Sequence, residues 1–521
     1  MVLSRGLALA YSAFVILVIG SLSPLMTTAG QSPSLTYQHH DPILITNNGF
    51  GTFPGDGSES NPYVIEGLEI DGAGFWTSLT VPCIEIRDCN AHFIIRDNHL
   101  RWDGTSGLAV ELERCSNGTI ENNTIDQIYL GSWLWDCSNC TFSGNSVTTN
   151  GGQEEMGLFL LNSGNCSVWG NEFHSNGIMM YGDFLDKVVS NDIASNNTVS
   201  GLPIIFIKDQ IGVHLDNIVA GQLLVAHCEN ITISNMNISD VNVGIALYFV
   251  MNATVENVDI SGTSWDAMPI YNSTDVVVRY CHLYSNGYNG VTFYHVAGAV
   301  ISNNLIEHNW PAGIAAMFNC SGVVAYNNYL IGNSMQIWGE MILDAGYPTG
   351  GNYYSDYVGQ DLLSGPNQDL SGPDGIGDVP YLNASQQDRY PLMEPFGGGP
   401  GAAFFVSENP SAVGATLVFN ASNSWDIGYQ NQSLSFRWDF DDDGVWDVNW
   451  TTEKTAQWQY PGPGDYTVRL EVRDSLGLTR NTTMHMEVTP LVIPEFTGPL
   501  MLLVSILFLV VVIATSRSRR R

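Results

Sequence analysis

The stretch CSNGTIENNTI at residues 115–125 is followed by CSNCTFSGNSV at residues 137–147. Both stretches begin with Cys-Ser-Asn, alternate polar and apolar residues, and end with an aliphatic residue two places after an asparagine. A pattern that returns at a fixed short period indicates a stack of similar structural units. Further copies follow in the rest of the chain.

The copies align in three columns, two of them apolar and one between them rich in asparagine. The first apolar column contains Ile120, Phe142, Val168, Ile233, Val255, Val278, Ile301 and Ala325. The last contains Ile125, Val147, Phe173, Val199, Ile238, Ile260, Leu283, Ile306 and Leu330. The middle column reads Asn123, Asn145, Asn171, Asn197, Met236, Val258, Cys281, Asn304 and Asn328. One gap of 39 residues, from 197 to 236, interrupts an otherwise regular period.

Alternating apolar residues in short runs indicate β-strands, whereas helical repeats would show a period near 3.6. We predict an all-β fold in which about three short strands form each coil of a right-handed parallel β-helix. Asparagine suits the bend because it tolerates a left-handed backbone and because stacked amides can hydrogen-bond along the axis. A β-sandwich is the alternative, but it would not keep one register through so many copies.

The composition restricts the kinds of partner. The 521 residues include 18 basic and 52 acidic side chains, for a net charge of -34, with 44% hydrophobic residues. Such an acidic surface repels phosphate backbones, so nucleic acid is excluded as a partner and divalent cations are favoured. Six of the nine cysteines recur at two positions of the repeat, which suits stacked thiols or disulfides between neighbouring coils.

Both ends of the chain predict export to the cell surface. Residues 1–29 have the form of a signal peptide, with Arg5 before an apolar run. Residues 498–515 are uncharged and predict a transmembrane anchor, followed by a basic cytoplasmic tail at 516–521. Asn-x-Ser/Thr sequons between these ends predict glycosylation.

Several stretches resemble the archaeal members of the NosD-like β-helix family, which is also grouped with carbohydrate-binding proteins and sugar hydrolases. The resemblance rests on residues 40–70, 84–100, 220–248, 350–381 and 388–393. It implies a β-helix over residues 36–396 and a surface location more firmly than an activity. Copper handling is known in this family, but the histidines and methionines here are scattered. The segment IPEF (493–496) resembles an archaeal sorting signal, which leaves open whether the anchor is retained or removed.

A second resemblance follows GGGPG (397–401), which we interpret as a linker. The stretches ASNSWDIG (421–428), FRWDFDDDGVWD (436–447) and YPGPGDYTVRLEVRDSLG (460–477) resemble a polycystic-kidney-disease (PKD) repeat. This resemblance implies an immunoglobulin-like β-sandwich over residues 402–490, with a spacing or adhesion role at cell surfaces.

Within that domain, alternating acidic residues predict a calcium site made by Asp439, Asp441, Asp443 and Asp447. Oxygen ligands at alternate positions let a turn wrap a hard cation, and Gly444 permits the turn. Trp450 stands where an EF-hand would have its bidentate glutamate, so an acidic hairpin loop without metal is the alternative. A weaker acidic set in Gly-rich loops is interpreted as solvated: Asp361, Asp369, Asp374 and Asp378.

No set of residues stands out as a catalytic acid, base or nucleophile, and the catalytic residues stay unknown. Arg279 follows Glu256 by one coil and is interpreted as its ion-pair partner. Aromatic and acidic residues cluster where the asparagine column is lost, which favours sugar rings. The predicted ligand-binding residues are Tyr248, Trp265, Asp266, Tyr271, Tyr284 and Tyr288.

We therefore expect noncatalytic binding of extracellular or surface glycans, in a protein anchored at the cell surface. The alternatives are a calcium-dependent polysaccharide lyase or glycosidase, and a structural envelope component in contact with other envelope proteins. Calcium is the only cofactor that the sequence suggests.

Overall fold

The computed structural model describes residues 37–72, 81–102, 107–149, 155–383, 386–393, 400–422, 424, 434–474 and 479–490. The predicted signal peptide (1–29), anchor (498–515) and tail (516–521) lie outside these residues. Within the described part of the chain, no helix is long and apolar enough to cross a membrane.

The first part of the chain forms a stack of coils with three parallel sheets, which we call the first stack. Sheet I contains Ile43–Thr46, Ile84–Arg87, Leu108–Glu113, Leu130–Trp135, Met156–Leu161 and Ile178–Tyr181. Sheet II contains Tyr63–Glu66, Phe93–Arg96, Gly118–Glu121, Thr141–Ser143, Ser167–Trp169 and Asp192–Ile193. Sheet III begins with Gln38–His40, Leu68–Asp71, His99–Arg101, Thr124–Ile128, Ser146–Thr149, Glu172–His174 and Thr198–Val199.

The second stack continues sheet III and adds sheet IV. Sheet III continues with Leu202–Lys208, Gln222–Ala226, Ile245–Tyr248, Met268–Tyr271, Val291–Tyr294, Ala312–Met317 and Met335–Trp338. Sheet IV contains His214–Asp216, Glu229–Ser239, Met251–Ser261, Thr274–Arg279, His282–Tyr284, Val300–Ser302, Leu305–Glu307, Val324–Tyr326, Tyr329–Ile331 and Tyr353–Tyr354. Two antiparallel hairpins follow, Leu363–Ser364 with Leu370–Ser371 and Tyr381–Asn383 with Gln386–Asp388.

The predicted apolar columns are the inward-facing ladders of these coils. Ile120, Phe142 and Val168 pair in register on neighbouring strands and are buried. The other apolar column behaves in the same way, since Ile125 pairs with Val147 and both are buried. The all-β solenoid prediction is confirmed, because identical positions stack along the axis.

The asparagine column forms a hydrogen-bonded amide ladder inside the coils. Asn123 Nδ2 donates to Asn145 Oδ1 at 3.0 Å, and Asn145 Nδ2 donates to Asn171 Oδ1 at 3.1 Å. Each of these oxygens also accepts the backbone N–H of the preceding asparagine at 2.9 Å. The ladder runs from Asn98 to Asn197 and resumes from Asn304 to Asn352.

The predicted reason for asparagine at the bend is partly wrong. The left-handed backbone belongs to the residue before the ladder position, as at Asn122 (φ 54°) and Gly144 (φ 63°). Asn257, before Val258, has the same conformation with φ 53°. Coils that lack the ladder amide therefore have the same left-handed bend residue as the others. They lose only the amide bridge.

The 39-residue gap in the repeat marks the junction of the two stacks. Thr198–Val199 pairs antiparallel with Pro203 and Leu202, so the chain reverses direction before the second stack starts. A short helix, Leu185–Val189, precedes this reversal in the last coil of the first stack. The reversal ends the continuous register that the repeat predicted.

The outward face of the second stack covers the last strand of sheet I, Ile178–Tyr181. Gln222 Oε1 accepts the N–H of Ile178 at 2.9 Å, and Gln222 Nε2 donates to the Ile178 carbonyl at 2.9 Å. The N–H of Met180 donates to the Tyr248 hydroxyl at 3.3 Å. Side chains of the second stack therefore form the hydrogen bonds that a further strand of sheet I would form with this edge strand. The edge of sheet I is thus covered and cannot pair with another chain. We call this contact the seam.

All nine cysteines are free thiols in this structure, and only Cys320 is partly exposed. Thiols of the repeated positions donate to inward backbone carbonyls, as Cys137 does to Leu112 at 3.3 Å. The cysteines thus act as small buried residues of the coil interior.

Residues after the linker form a two-sheet β-sandwich. One sheet contains Phe405–Val406, Leu417–Asn420 and Thr455–Trp458. The other contains Ser411–Ala412, Ser435–Asp439, Val448–Thr451, Gly464–Arg473 and Thr479–Thr489. Trp438, Phe419 and Phe440 lie fully buried between the sheets.

The sandwich docks against sheet IV of the second stack. Asn235 Nδ2 donates to the carbonyl of Thr483 at 3.1 Å, and the N–H of His485 donates to Asp216 at 3.3 Å. The guanidinium of Arg480 lies 3.7 Å from the ring centroid of Tyr280, which is a cation–π contact. Hydrogen bonds and a stacked cation thus hold the domain against the β-helix.

We expect Asn145→Ala to lower the free energy of unfolding by about 3 kcal/mol, because it leaves several buried amide and carbonyl groups without partners. Urea unfolding measures this change. Asn237→Ala is the matched control, because Asn237 lies exposed on a strand. Equal stability of the two variants would show that the amide ladder contributes little.

Candidate functional site

The outward face of sheet I carries charged and aromatic residues in two parallel rows. Along the first row, Glu85, Glu111 and Trp133 are register partners on consecutive strands. Along the second row, Arg87, Glu113 and Trp135 are register partners. Side chains at matching positions on adjacent strands lie about 5 Å apart, so each row is a continuous surface. We call this surface the sheet I platform.

The sequence places these residues outward by strict alternation. In IEIR (84–87), Ile84 and Ile86 are fully buried, so Glu85 and Arg87 point away from the coil interior. In LGSWLW (130–135), Leu134 is buried and the tryptophans on either side point outward. A two-residue period therefore separates the core from the platform.

A charged network occupies one end of the platform. Arg87 Nε lies 3.2 Å from Glu113 and also contacts Glu85. Arg114 donates two hydrogen bonds to Asp88, at 2.7 and 3.1 Å, and contacts Glu113. Each arginine thus forms ion pairs with two carboxylates. The network holds these side chains in fixed positions.

Glu111 stands apart from this network, with no ion pair or hydrogen bond to any residue of the described ranges. Its side chain is half-buried between Glu85 and Trp133. Burial raises the pKa of its carboxyl, and the neighbouring charge of Glu85 adds to that shift. Glu111 is the platform carboxylate that is available to a ligand.

The two tryptophans extend the platform beyond the carboxylates. Trp135 is 39% exposed. Trp133 is half-buried, and Phe159 on the next strand meets it edge to face with ring centroids 5.5 Å apart. This contact fixes the orientation of the Trp133 ring. Aromatic rings beside carboxylates suit the C–H faces and hydroxyl edges of sugars.

The six predicted ligand-binding residues do not share one surface in this structure. Tyr248 and Tyr271 are only 1% and 3% exposed and stack with ring centroids 5.2 Å apart. Tyr181 from the first stack meets Tyr271 edge to face. These tyrosines form the seam between the stacks, where a sugar ring has no access.

Asp266 also lies in the second stack's interior, with no exposed surface. Its Oδ1 accepts the N–H and side-chain amide of Asn289 at 3.1 and 2.9 Å, and the hydroxyl of Thr292 at 2.7 Å. Burial raises the pKa of Asp266 to about 6 although these hydrogen bonds oppose the shift. Asp266 therefore links its coil to the next coil of the second stack through these hydrogen bonds.

The remaining three predicted residues are half-buried at two separate places. Trp265 and Tyr288 stack on each other with centroids 4.9 Å apart. Tyr284 stacks on His282, whose Nε2 lies 3.0 Å from Glu307. Each ring already has a face covered by a neighbour.

The acidic turn of the sandwich brings three of its four predicted calcium ligands together. Carboxylate oxygens of Asp439, Asp441 and Asp447 lie within 4.8 Å of one another. Asp443 turns aside, and its Oδ1 accepts the N–H of Val445 at 2.7 Å. Burial and the charges of neighbouring aspartates raise the pKa of Asp441. Mutual repulsion of this kind is relieved by a bound cation.

Three members of the weaker acidic set in the loops after the second stack, Asp361, Asp374 and Asp378, accept hydrogen bonds from backbone amides. Asp378 accepts the N–H groups of Leu362 and Leu363, and Asp361 accepts those of Asp374 and Gly375. These carboxylates organise the loops.

The predicted pair of Arg279 and Glu256 is confirmed, with a shortest nitrogen–oxygen distance of 2.7 Å. The two residues are register partners on sheet IV. This arginine is paired and exposed, so it is a poor candidate for a catalytic base.

Sequence analysis missed the platform carboxylates and tryptophans. The available signal was the alternation in three consecutive strands, Ile84–Arg87, Leu108–Glu113 and Leu130–Trp135. These copies lie outside the columns that defined the repeat, so their outward residues were not aligned.

Two family models match this sequence. The right-handed β-helix region matches residues 82–217 and 204–333, and the PKD domain matches residues 399–489. The chain thus contains a right-handed β-helix followed by a PKD domain. No curated protein matches it.

Three solved structures illustrate the likeness to known folds. A protein described for the promiscuous specificity of carbohydrate-binding modules of the β-sandwich superfamily is 32% identical, over 19% of this chain and 37% of that chain, with a TM-score of 0.17. The PKD1 domain of Vibrio anguillarum Epp is 28% identical, over 18% and 94%, with a TM-score of 0.14. An alginate lyase from Paenibacillus is 10% identical, over 58% and 99%, with a TM-score of 0.22. This chain spans little more than a third of the first structure's length.

We expect Asp266→Asn to change how stability depends on pH. The folded pKa of about 6 exceeds the ordinary value of 3.8. As the pH rises through this window, the unfolded chain loses the proton first, so the free energy of unfolding falls in the wild type. Between about pH 4 and about pH 7, the free energy of unfolding of the variant should therefore rise by about 2–3 kcal/mol relative to that of the wild type.

Urea unfolding at a series of pH values measures this difference. Asp192→Asn is the control, since Asp192 is exposed on its strand. Parallel pH curves for the wild type and Asp266→Asn would contradict a raised pKa at this carboxyl.

Proposed function

We propose that this right-handed β-helix with a PKD domain binds glycans noncatalytically at the cell surface, through the sheet I platform. The observation that carries this proposal is the register of Trp133 with Glu111 and of Trp135 with Glu113 on adjacent strands. A sugar ring laid on a tryptophan would reach a carboxylate one strand away with its hydroxyl groups.

The rigidity of the platform supports binding. Arg87 and Arg114 hold Glu85, Asp88 and Glu113 by ion pairs, and both rows lie on regular strands. A site that is already ordered loses little conformational entropy when the ligand binds. A long flat sheet also suits a polymer that extends over several coils.

Export and surface anchoring are part of the proposal, on the ground of the apolar segments at 1–29 and 498–515. In this arrangement the PKD domain stands between the membrane and the β-helix. Its contacts through Asn235, Asp216 and Arg480 would hold the platform in a constant orientation.

Glycan cleavage is a second candidate, favoured by one observation. Glu85 and Glu111 are register partners on adjacent strands, and retaining glycosidases use two carboxyl groups about 5–5.5 Å apart. The raised pKa of Glu111 suits a general acid, while Arg87 keeps Glu85 paired. Cleavage and binding differ in whether oligosaccharides are released.

We expect the purified protein to be retained on a polysaccharide array without releasing oligosaccharides. Trp135→Ala should weaken retention by about tenfold or more, because stacking on an aromatic ring is lost. Trp169→Ala is the matched control, since Trp169 is 49% exposed on sheet II. Released oligosaccharides that disappear in Glu111→Gln would support cleavage, and no retention would leave a structural envelope role.

Calcium binding by Asp439, Asp441 and Asp447 is a separate proposal, supported by the proximity of their carboxylates. The ion would pin the turn between two strands of the sandwich. We expect millimolar calcium to raise the melting temperature relative to chelator, because an ion that binds only the folded protein stabilises it.

Asp441→Asn should remove this increase, whereas Asp465→Asn should keep it, because Asp465 lies on an exposed part of its strand. An equal effect of calcium on both variants would place the ion elsewhere or show nonspecific binding.

A further inference from the structure

We propose that the glycan held on the sheet I platform carries free amino groups, as in a polymer of 2-amino sugars. This inference rests on the proposed glycan binding and names its ligand class. A protonated amine would dock on Glu111 while the sugar ring lies on Trp133.

The charges at the platform are unevenly matched. Four carboxylates, those of Glu85, Asp88, Glu111 and Glu113, face two guanidinium groups, those of Arg87 and Arg114. Both arginines are engaged by carboxylates of the network. The platform therefore has an excess of negative charge. Arg87 attracts Glu111 only from a distance, and no cation of the described residues forms an ion pair with it.

An unpaired carboxylate that is half-buried loses hydration without gaining a partner. Burial raises the pKa of Glu111, and Glu85, its register partner on one side, adds to that shift by repulsion. A ligand cation at this position would relieve the repulsion and form a charge-assisted hydrogen bond. A neutral hydroxyl group would form a weaker hydrogen bond and would not relieve the repulsion.

The neighbour on the other side of Glu111 also favours a cation. Trp133 is the register partner of Glu111, and Phe159 fixes its ring. An ammonium group near an indole face gains a cation–π attraction, strongest for tryptophan among the aromatic side chains. Carboxylate and indole together thus define a position for an alkylammonium group attached to a ring.

The same charges reject acidic polymers. A uronate or sulfated sugar would bring a negative charge toward Glu111 and Glu85, and the engaged arginines would have to leave their partners to receive it. Like charges brought into contact across an interface disfavour the wrong partner. The net charge of -34 extends this repulsion beyond the platform.

Calorimetry with two matched oligosaccharides tests the inference. One is an oligomer of glucosamine and the other an N-acetylglucosamine oligomer of equal length, which differ only in whether the amine is free. In mildly acidic buffer, the full-length protein should bind the glucosamine oligomer about tenfold more tightly, as expected for one charge-assisted hydrogen bond. Alginate oligomers should bind more weakly than either.

Variants separate this inference from the proposed function. Glu111→Gln should bring the two affinities to within about twofold, because the glucosamine oligomer loses the larger part of its affinity when the charge is removed. Trp135→Ala should weaken both oligomers together. Glu172→Gln, an exposed glutamate on sheet III, is the control and should leave both affinities unchanged.

Each outcome has one meaning. Weakening by Trp135→Ala with an unchanged affinity ratio in Glu111→Gln would overturn the amino-sugar inference and leave glycan binding in place. Unchanged binding in Trp135→Ala and Trp133→Ala would overturn the platform itself. Release of shorter oligomers during the titration would identify cleavage.

Discussion

Stacking of identical positions on neighbouring coils is the constraint on which the rest of this structure depends. Each inward residue must fit the residue one coil away, so Ile120, Phe142 and Val168 form one continuous apolar ladder. The asparagines of the ladder obey the same constraint with polar groups, because the amide of one coil donates to the amide of the next. Burial of the ladder amides is tolerable because neighbouring amides are hydrogen-bonded to each other.

The constraint also places function on the outside of the coils. A rigid interior repeats the outward positions of each strand at fixed spacing, so Glu85, Glu111 and Trp133 form a row without any loop to order them. The chemistry of such a row depends on which side chains remain unpaired. On the platform both arginines form ion pairs with other carboxylates, and the carboxylate of Glu111 is available to a ligand.

Where the coils stop stacking, outward residues change their role. The antiparallel pairing at Thr198–Val199 starts a second stack whose outer face lies against the edge of sheet I. Tyr248 and Tyr271, which would otherwise be exposed on such a face, become buried contacts between the stacks. Aromatic residues at this junction therefore serve stability, while those on the open part of sheet I are available to a ligand.

The sequence by itself determined the β-helix, its apolar and asparagine ladders and the Arg279–Glu256 pair, because each depends on contacts between equivalent positions of adjacent repeats. The second domain was recognised from its own motifs. Only the tertiary structure decided which outward faces stay open. The burial of Asp266 and the freedom of Glu111 depend on elements distant in sequence, as does the docking of Arg480 on Tyr280. A repeat period specifies neighbours along the axis, whereas packing between stacks and domains has no period that a sequence alignment could detect.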